Sequence, residues 1–232
     1  IFITLLAIFA RWLAPYSYYA QDSSALLSPP SASHWLGTDE LGRDLLSRII
    51  YGARISLAVA YFSTFFSLVL GTAYGALSGY LGGKIDNFLM RIADVVYSFP
   101  DLLLIILINT SIDRESLGEL FARLQVPFLI RVLNPEIISL LIALSLVSWV
   151  HIARLIRGEV LRLREEKFVE SARALGVKPS AILFRHILPN TLGPLLVTLS
   201  FRIPSVILAE STLSFIGLGI QPPLASWGTL AN

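Results

Sequence analysis

The side chains that carry most enzyme chemistry are scarce in this sequence. Its 232 residues include no cysteine, which excludes thiol catalysis and cysteine-ligated metal sites. The three histidines, His34, His151 and His186, are too far apart in sequence to form a spaced ligand cluster. The pattern Gly-x-Ser-Gly, which would favour an intramembrane hydrolase, is absent. We therefore expect neither a catalytic nor a metal centre in this chain.

A glycine-rich turn at residues 82–84 comes nearest to a nucleotide site. A phosphate-binding loop requires a glycine five residues before its second glycine, and a serine or threonine after its lysine. Those two positions hold Ser78 and Ile85. The sequence therefore predicts that any ATP is hydrolysed on another chain.

Charged residues interrupt segments that are otherwise apolar: Asp94, Asp101, Arg202 and Glu210. Because a charge at membrane depth is costly, such residues are candidates for a translocation pathway. For the two aspartates, capping and loop-closing roles around Pro100 are the alternative. His151 is better explained as a residue at the end of a helix than as a proton relay.

The composition is that of an integral membrane protein. Hydrophobic residues make up 55% of the chain and charged residues 15%, and the mean hydropathy is +0.71. This composition excludes disorder, and it leaves too few charges to cover the surface of a soluble domain. We predict an all-α, polytopic fold with about five spans, at 1–13, 55–77, 85–110, 137–153 and 192–220.

The chain divides into two predicted regions. Residues 1–54 would hold a truncated first span, an external loop and an amphipathic helix within 34–57 that lies on the membrane surface or across the bundle. Residues 55–232 would form the transmembrane core. The stretch 151–190 has eight basic and four acidic residues, a net charge of +4. An excess of basic residues places it on the cytoplasmic side, with 111–135 and 221–232 outside.

The basic stretch has the pattern of two short helices joined by a sharp turn. Phe168, Ala172 and Leu175 share one apolar face, and Gly176 follows, where a helix commonly ends. A second helix ends at Pro189. The apolar face is too small to form a core of its own. It could pack against the helix ends of this chain or dock into a groove of a partner.

The same stretch resembles the EAA loop of ATP-binding-cassette importer permeases. That loop has the pattern Glu-Ala-Ala, three residues, Gly, nine residues, Ile-x-Leu-Pro. Here the matching positions are 170–172, Gly176 and 186–189, with the spacing kept throughout. Ser171 and His186 depart from the pattern.

Three further stretches resemble the C-type subunit of dipeptide, oligopeptide and nickel permeases. They are residues 34–44, 52–57 and 213–219. The likeness extends from about His34 to the last residue. It implies the bundle of a type I importer permease, in which a sixth span follows the region 226–228. We expect that span, like the start of the first, to be missing from this sequence.

The resemblance implies a transport subunit rather than an enzyme. A second homologous permease would share the pathway, two ATPase subunits would bind ATP and Mg²⁺, and a binding protein outside would deliver substrate. The chain itself would hold no cofactor and bind no nucleic acid, and it would lie among the lipids of a prokaryotic cytoplasmic membrane, crossing it several times. The loop at about 158–190 would be the coupling helix region. Its implied contact residues are Phe168, Glu170, Ser171, Ala172, Leu175, Gly176, Val177, His186, Leu188 and Pro189.

Other functions and substrates stay open at this point. A secondary transporter or channel would use the intramembrane charges without ATP and would not need the loop 168–189. Peptides are the favoured substrate, while nickel, glutathione and glycosides are alternatives within the same resemblance. Arg202 would either pair with Glu210 or contact a peptide carboxylate.

Overall fold

The regular structure of the chain is helical wherever it is described. The computed structural model describes residues 2–123 and 134–231, and side chains in 2–119 and 134–231. Apart from one isolated bridge between Thr38 and Asp44, its regular elements are helices, which confirms the all-α prediction. They are α1 (Phe2–Ile8), α2 (Ala10–Leu13), α3 (Leu45–Leu81), α4 (Gly83–Tyr97), α5 (Asp101–Ser111), α6 (Arg114–Arg123), α7 (Pro135–Leu163), α8 (Lys167–Ala174), α9 (Pro179–Ala181), α10 (Leu192–Phe215) and α11 (Trp227–Leu230). A π-helical stretch (Ile182–Ile187) and a 3₁₀ turn (Leu188–Thr191) join α9 to α10.

Three described helical segments are long and apolar enough to cross a membrane. They are α3, α7 and the continuous helical path Pro179–Phe215. A fourth span is possible if α4 and α5 are counted together, although they are bent by 85° at Pro100. The bend agrees with the interruption predicted there, because proline disfavours a helical conformation of the residue before it. Of the expected polar loop at 113–135, residues 124–133 lie outside the described part.

The amphipathic helix predicted within 34–57 does not form as a separate element. Instead α3 begins at Leu45 and continues for 37 residues. The polar side chains near its start are buried rather than solvated. The Ser47 hydroxyl accepts the Tyr16 N–H at 3.0 Å, and Arg48 pairs with Asp39. The preceding loop thus supplies partners to Ser47 and Arg48, which lie buried at the start of a longer helix.

The described residues form two compact units, each drawn from several stretches. Unit 1 comprises the described residues of 1–61, 108–141 and 206–232, and unit 2 comprises 62–107 and 142–205. Each unit collects parts of several long helices.

In unit 1, the loop before α3 is held by two carboxylates. Burial raises the pKa of Asp39, but hydrogen bonds from the main chain and side chain of Arg43 outweigh burial and leave that pKa below its ordinary value. Burial also raises the pKa of Asp44, and hydrogen bonds from Ser47 and from the His34 ring, 2.9 Å away, bring it below normal. Both carboxylates therefore stabilise the loop in their charged forms.

In unit 2, a row of glycines brings α3 against the backbone of α7. A Cβ on Gly71 would lie 2.6 Å from the Trp149 carbonyl oxygen, and one on Gly75 would overlap the Ala153 carbonyl. Gly79 approaches the same helix one turn further on. Small residues at four-residue spacing are a common way for membrane helices to approach closely. This contact sets the distance between the two helices.

The loop of unit 1 should loosen in acid. A carboxylate whose folded pKa is lowered contributes stability above its unfolded pKa, about 3.9 for aspartate, and that stability is lost as pH falls through the folded pKa. Hydrogen exchange of residues 14–44 in the full-length subunit, corrected for intrinsic rates, should therefore be slow at pH 5 and rise below about pH 4. Peptides from α7 are the control. Unchanged protection of the loop down to pH 2 would contradict this role of the two aspartates.

A side chain at Gly75 should destabilise unit 2. Gly75→Val places its Cβ in the Ala153 backbone, so we expect a cost of about 1–3 kcal/mol, the usual cost of overpacking. Gly158→Val is the matched control, because a Cβ at Gly158 meets nothing within 4 Å. The measurement is the thermal unfolding midpoint of each full-length variant in detergent. Equal midpoints for the two variants would show that the glycine row does not limit the helix distance.

Candidate functional site

The segment from α8 to the 3₁₀ turn is a helix, turn, helix unit that packs on an apolar core shared with other helices of unit 2. Val169 and Ala172 of α8 are buried, and so are Ile182 and Ile187 of the π-helical stretch. They pack in one cluster with residues of α3, α7 and α10: Ala76, Ile152, Ile156, Val160, Leu163 and Leu195. The unit is therefore a supported element rather than a free loop.

Gly176 makes the turn at the end of α8. Its φ is +74°, a conformation that costs most side chains about 1–2 kcal/mol. The Gly176 N–H donates to the Arg173 carbonyl at 2.9 Å, and the Val177 N–H donates to the Ala172 carbonyl at 3.1 Å. These two bonds form a Schellman motif, and half-buried Val177 packs on the core beside Ala172. The predicted helix end at this glycine is confirmed.

The apolar face predicted from Phe168, Ala172 and Leu175 is divided in the structure. Ala172 points into the core, while Leu175 is 83% exposed and Phe168 is 40% exposed. Phe184, from the π-helical stretch, is 66% exposed. Glu170 is exposed on the same helix. The helix, turn, helix unit thus presents uncovered apolar side chains, while its inner residues are packed in the core.

The second predicted helix does not stop at Pro189. The chain changes helix type instead, from the π-helical stretch to a 3₁₀ turn that contains Pro189, and continues into α10. Proline has no N–H to donate, so the regular α-helical bonding cannot pass through it. The Asn190 side chain donates to the His186 carbonyl at 2.6 Å, and the Thr191 hydroxyl donates to the Leu188 carbonyl at 2.8 Å. These two side chains therefore donate the hydrogen bonds that the main chain does not supply to the His186 and Leu188 carbonyls.

A row of ion pairs links α4 and α5 to α7 in unit 2. Arg157 donates two hydrogen bonds to Asp86, at 2.5 and 2.6 Å, and the Ser78 hydroxyl donates a third at 2.6 Å. Arg154 donates to Asp94 at 2.6 Å. The three partners of this pair of aspartates stand on α3 and α7, so the charges fix the position of α4.

The row continues at Asp101, the first residue of α5. Its carboxylate lies 3.2 Å from Nε2 of His151, and the ring of Tyr97 stacks edge-on against the same imidazole. The Arg154 guanidinium lies 3.8 Å from the centre of the Tyr97 ring. Asp94 and Asp101, the two aspartates singled out in the sequence, are thus paired. His151 lies within α7 rather than at its end, and it has a carboxylate partner.

The other two intramembrane charges have different surroundings. Nε of Arg202 is buried and has no hydrogen-bond partner in the described part of the chain. Glu210 is fully buried, and its carboxylate accepts hydrogen bonds from Ser56, Ser211 and Ser214. Serine hydroxyls therefore satisfy this carboxylate.

Sequence reasoning missed the cluster of Ser78, Asp86 and Arg157. A signal was present, because Arg157, Arg154 and His151 recur every three residues along one side of a helix. Asp86 and Asp94 are eight residues apart, about two turns, which also places them on one face. Two matching faces of opposite charge would have predicted the contact between α4 and α7.

Two family models match the chain. Residues 71–232 match the family described as the binding-protein-dependent transport system inner membrane component. Residues 1–30 match the N-terminal transmembrane domain of oligopeptide transport permease C. The first match covers more than half of the chain and includes the helix, turn, helix unit and all four intramembrane charges. The chain belongs to this family of inner membrane transport components.

Curated relatives agree with the family. The chain is 39% identical over its whole length to the dipeptide transport system permease protein of Bacillus subtilis (strain 168), of which it covers 66%. It is 38% identical to the oligopeptide transport system permease protein of the same organism, of which it covers 69%. It is 40% identical to the glutathione transport system permease protein of Escherichia coli, of which it covers 70%. The chain thus spans about two thirds of the length of these relatives.

Removing the Asp86 charge should destabilise unit 2 strongly. Asp86→Asn leaves Arg157 charged and without its bidentate partner, so we expect a loss of roughly 2–4 kcal/mol. Glu159→Gln is the control, because its partner Arg162 is 56% exposed and an exposed pair contributes at most about 1 kcal/mol. Thermal unfolding of the full-length subunit measures both. The double variant Asp86→Asn/Arg157→Gln should recover part of the loss, and a strictly additive result would count against the pairing.

Proposed function

We propose that this chain is the transmembrane permease part of an ATP-driven importer for dipeptides and oligopeptides. Membership of the binding-protein-dependent family supports the transport role. The printed names of the relatives, for dipeptide, oligopeptide and glutathione transport, support a peptide or peptide-like substrate. Nickel and glycosides are the remaining alternatives. The chain acts as a transport subunit, and ATP and Mg²⁺ bind to separate ATPase subunits.

The exposed apolar side chains of the helix, turn, helix unit are the observation that carries this proposal. Leu175, Phe168 and Phe184 stand uncovered on a unit whose inner residues are fully packed. A short supported helix with apolar anchors suits insertion into a groove of a partner. In the proposed complex the groove belongs to an ATPase subunit, and exposed Glu170 faces basic residues there. The unit is then the coupling helix.

A second permease subunit would cover α10. In the most apolar part of the path Pro179–Phe215 only 11% of residues are buried within this chain, against 72% in α7. Polar and apolar residues both remain uncovered along it, including Phe201, which is 74% exposed. A homologous permease on this side would enclose a path between the two chains. Lipid would contact the remaining apolar surface.

The proposed mechanism is a change of access driven by the ATPases. When they close on ATP, they push the two coupling helices together and turn the bundle outward, and hydrolysis releases it. A binding protein outside delivers the substrate. Such a change needs contacts that differ between the two states. Asp94, Asp101 and Arg202 are the proposed pathway residues, and Arg202 is suited to a peptide carboxylate because its Nε has no partner in the described part.

The proposed location is the cytoplasmic membrane of a prokaryote, with the coupling helix on the inner side. The apolar spans support the membrane, and the net charge of +4 over residues 151–190 supports the orientation. Residues 221–231 then face outward. The binding protein approaches from that side.

Gly176→Val should uncouple the subunit from its ATPases. Valine is strained at a φ of +74°, so the turn shifts and Leu175 moves out of register with its groove. The measurement is a pull-down of the full-length subunit in mild detergent, with partners identified by mass spectrometry. We expect a second permease and two ATPases with the unmutated subunit, and loss of the ATPases alone in the variant. Uptake driven by ATP should fall at least tenfold.

Gly118→Val is the matched control for this experiment. Its added Cβ would meet only Pro135, at an ordinary contact distance of 3.7 Å, and Gly118 has no positive φ, so the partners of the subunit should be retained. Glu170→Lys should act like Gly176→Val by reversing a charge at the same contact. A subunit that purifies alone and still transports would favour a self-contained transporter. Normal uptake by both coupling variants would reject the assignment of the coupling helix.

A further inference from the structure

Glu210 in unit 1 is a buried carboxylate that is held by hydroxyl groups. Its side chain is fully buried, and no cation lies within 4 Å of it in the described part of unit 1. Ser56 donates to one carboxylate oxygen at 2.7 Å, and Ser214 donates to the other at 2.8 Å. Ser211 adds a longer contact at 3.4 Å. A buried charge without an ion-pair partner is costly, so the hydrogen bonds from these hydroxyls must offset the free energy of burying the carboxylate.

The direction of these hydrogen bonds follows from their outer partners. The Trp227 N–H donates to the Ser56 oxygen at 3.2 Å, and the Ile220 N–H donates to the Ser214 oxygen at 3.0 Å. A main-chain N–H can only donate, so each serine oxygen accepts and directs its own hydrogen to Glu210. Two relays therefore connect the carboxylate to the main chain after α10.

The relays fasten a segment that has little regular structure of its own. The segment 217–228 contains no helix before α11, which begins at Trp227. Asn109 donates to the Leu218 carbonyl at 2.7 Å, and the Trp227 indole donates to the Ile49 carbonyl at 3.2 Å. The indole also packs on the apolar cluster around Leu57. The segment is thus attached to α3 and α5 as well as to α10.

We propose that Glu210 is a positioning residue, which keeps the segment 217–228 docked by acting through Ser56 and Ser214. Its charge is needed because both carboxylate oxygens accept from a hydroxyl. The amide group of glutamine keeps one acceptor oxygen and replaces the other with a donor, so it satisfies one relay only. The effect on transport rests on the proposed function, which places residues 221–231 on the outer side of the membrane. The docking itself does not depend on that function.

A single cysteine can report whether the segment is docked. Ala225 is 1% exposed, and the 232 residues contain no cysteine, so Ala225→Cys introduces one protected thiol with a small change in volume. The full-length subunit in detergent is treated with N-ethylmaleimide, and labelling at position 225 is followed by peptide mass spectrometry. We expect labelling at least tenfold faster with Glu210→Ala than without it. Glu210→Gln should lie between the two.

Two controls separate positioning from a general loss of structure. Thr212 lies on the same helix, and its exposed hydroxyl donates to the Leu208 carbonyl one turn earlier, so Thr212→Ala should leave the labelling rate unchanged. Ala231→Cys, at an exposed position, should label at the same rate in every background. If Glu210→Ala fails to fold, Ser56→Ala and Ser214→Ala test the same relays with the loss of one hydroxyl each. Each substitution should raise the labelling rate severalfold, and the two combined should raise it more than either alone.

Uptake kinetics give a second measurement when kcat is calculated per folded subunit, because a general loss of folded protein lowers the uncorrected rate without changing KM. Glu210→Gln should lower kcat while leaving KM within twofold, because the segment is not proposed to bind substrate. Slow labelling at position 225 in the Glu210 and serine variants, or equally fast labelling with Thr212→Ala, would overturn the proposal. Faster labelling in a subunit that shows no uptake even without these changes would support the positioning role and count against the proposed function.

Discussion

The close approach of α3 and α7 is the constraint on which unit 2 depends. Gly71, Gly75 and Gly79 let the carbonyl row of α7 lie where side chains would otherwise stand. In a membrane, the hydrophobic effect does not drive helices together, so close van der Waals contact and interhelical hydrogen bonds must do so. The contact at Gly79 also brings Ser78 beside the Arg157 region, where Asp86 completes a hydrogen-bonded cluster. A wider spacing would leave that cluster without its serine.

Helix α7 contacts three sets of neighbours. This explains why a larger share of its residues is buried than in the other two described candidate spans. One side faces the glycines of α3, a second side carries the bases that pair with Asp86, Asp94 and Asp101, and its end supplies Ile156 and Val160 to the core under α8. The exposed apolar residues of the helix, turn, helix unit are therefore held by the same helix that orders the ion pairs.

Features that depend on local chemistry were predictable from the sequence. The turn at Gly176 follows from the need for a positive φ, and the bend at Pro100 follows from proline geometry. Pairings between individual distant residues were not, because matching charged faces of two helices indicate that the helices meet without identifying which residues pair. Arg157 and Asp86 are 71 positions apart. The continuous α3 was missed because Ser47 and Arg48 look solvated until the loop that satisfies them is placed.

The π-helical stretch sets the rotational phase of everything that follows it in unit 2. A π turn holds one more residue than an α turn while leaving the helix that follows close to the phase it would have after regular winding. Loss of one residue from Ile182–Ile187 can therefore be absorbed by a return to α-helical winding, whereas a further inserted residue would rotate the following helix by about 100°. Such an insertion would take Leu195 out of the core and turn Arg202 toward a different neighbour. Among related chains, this stretch should therefore lose a residue more readily than it gains one.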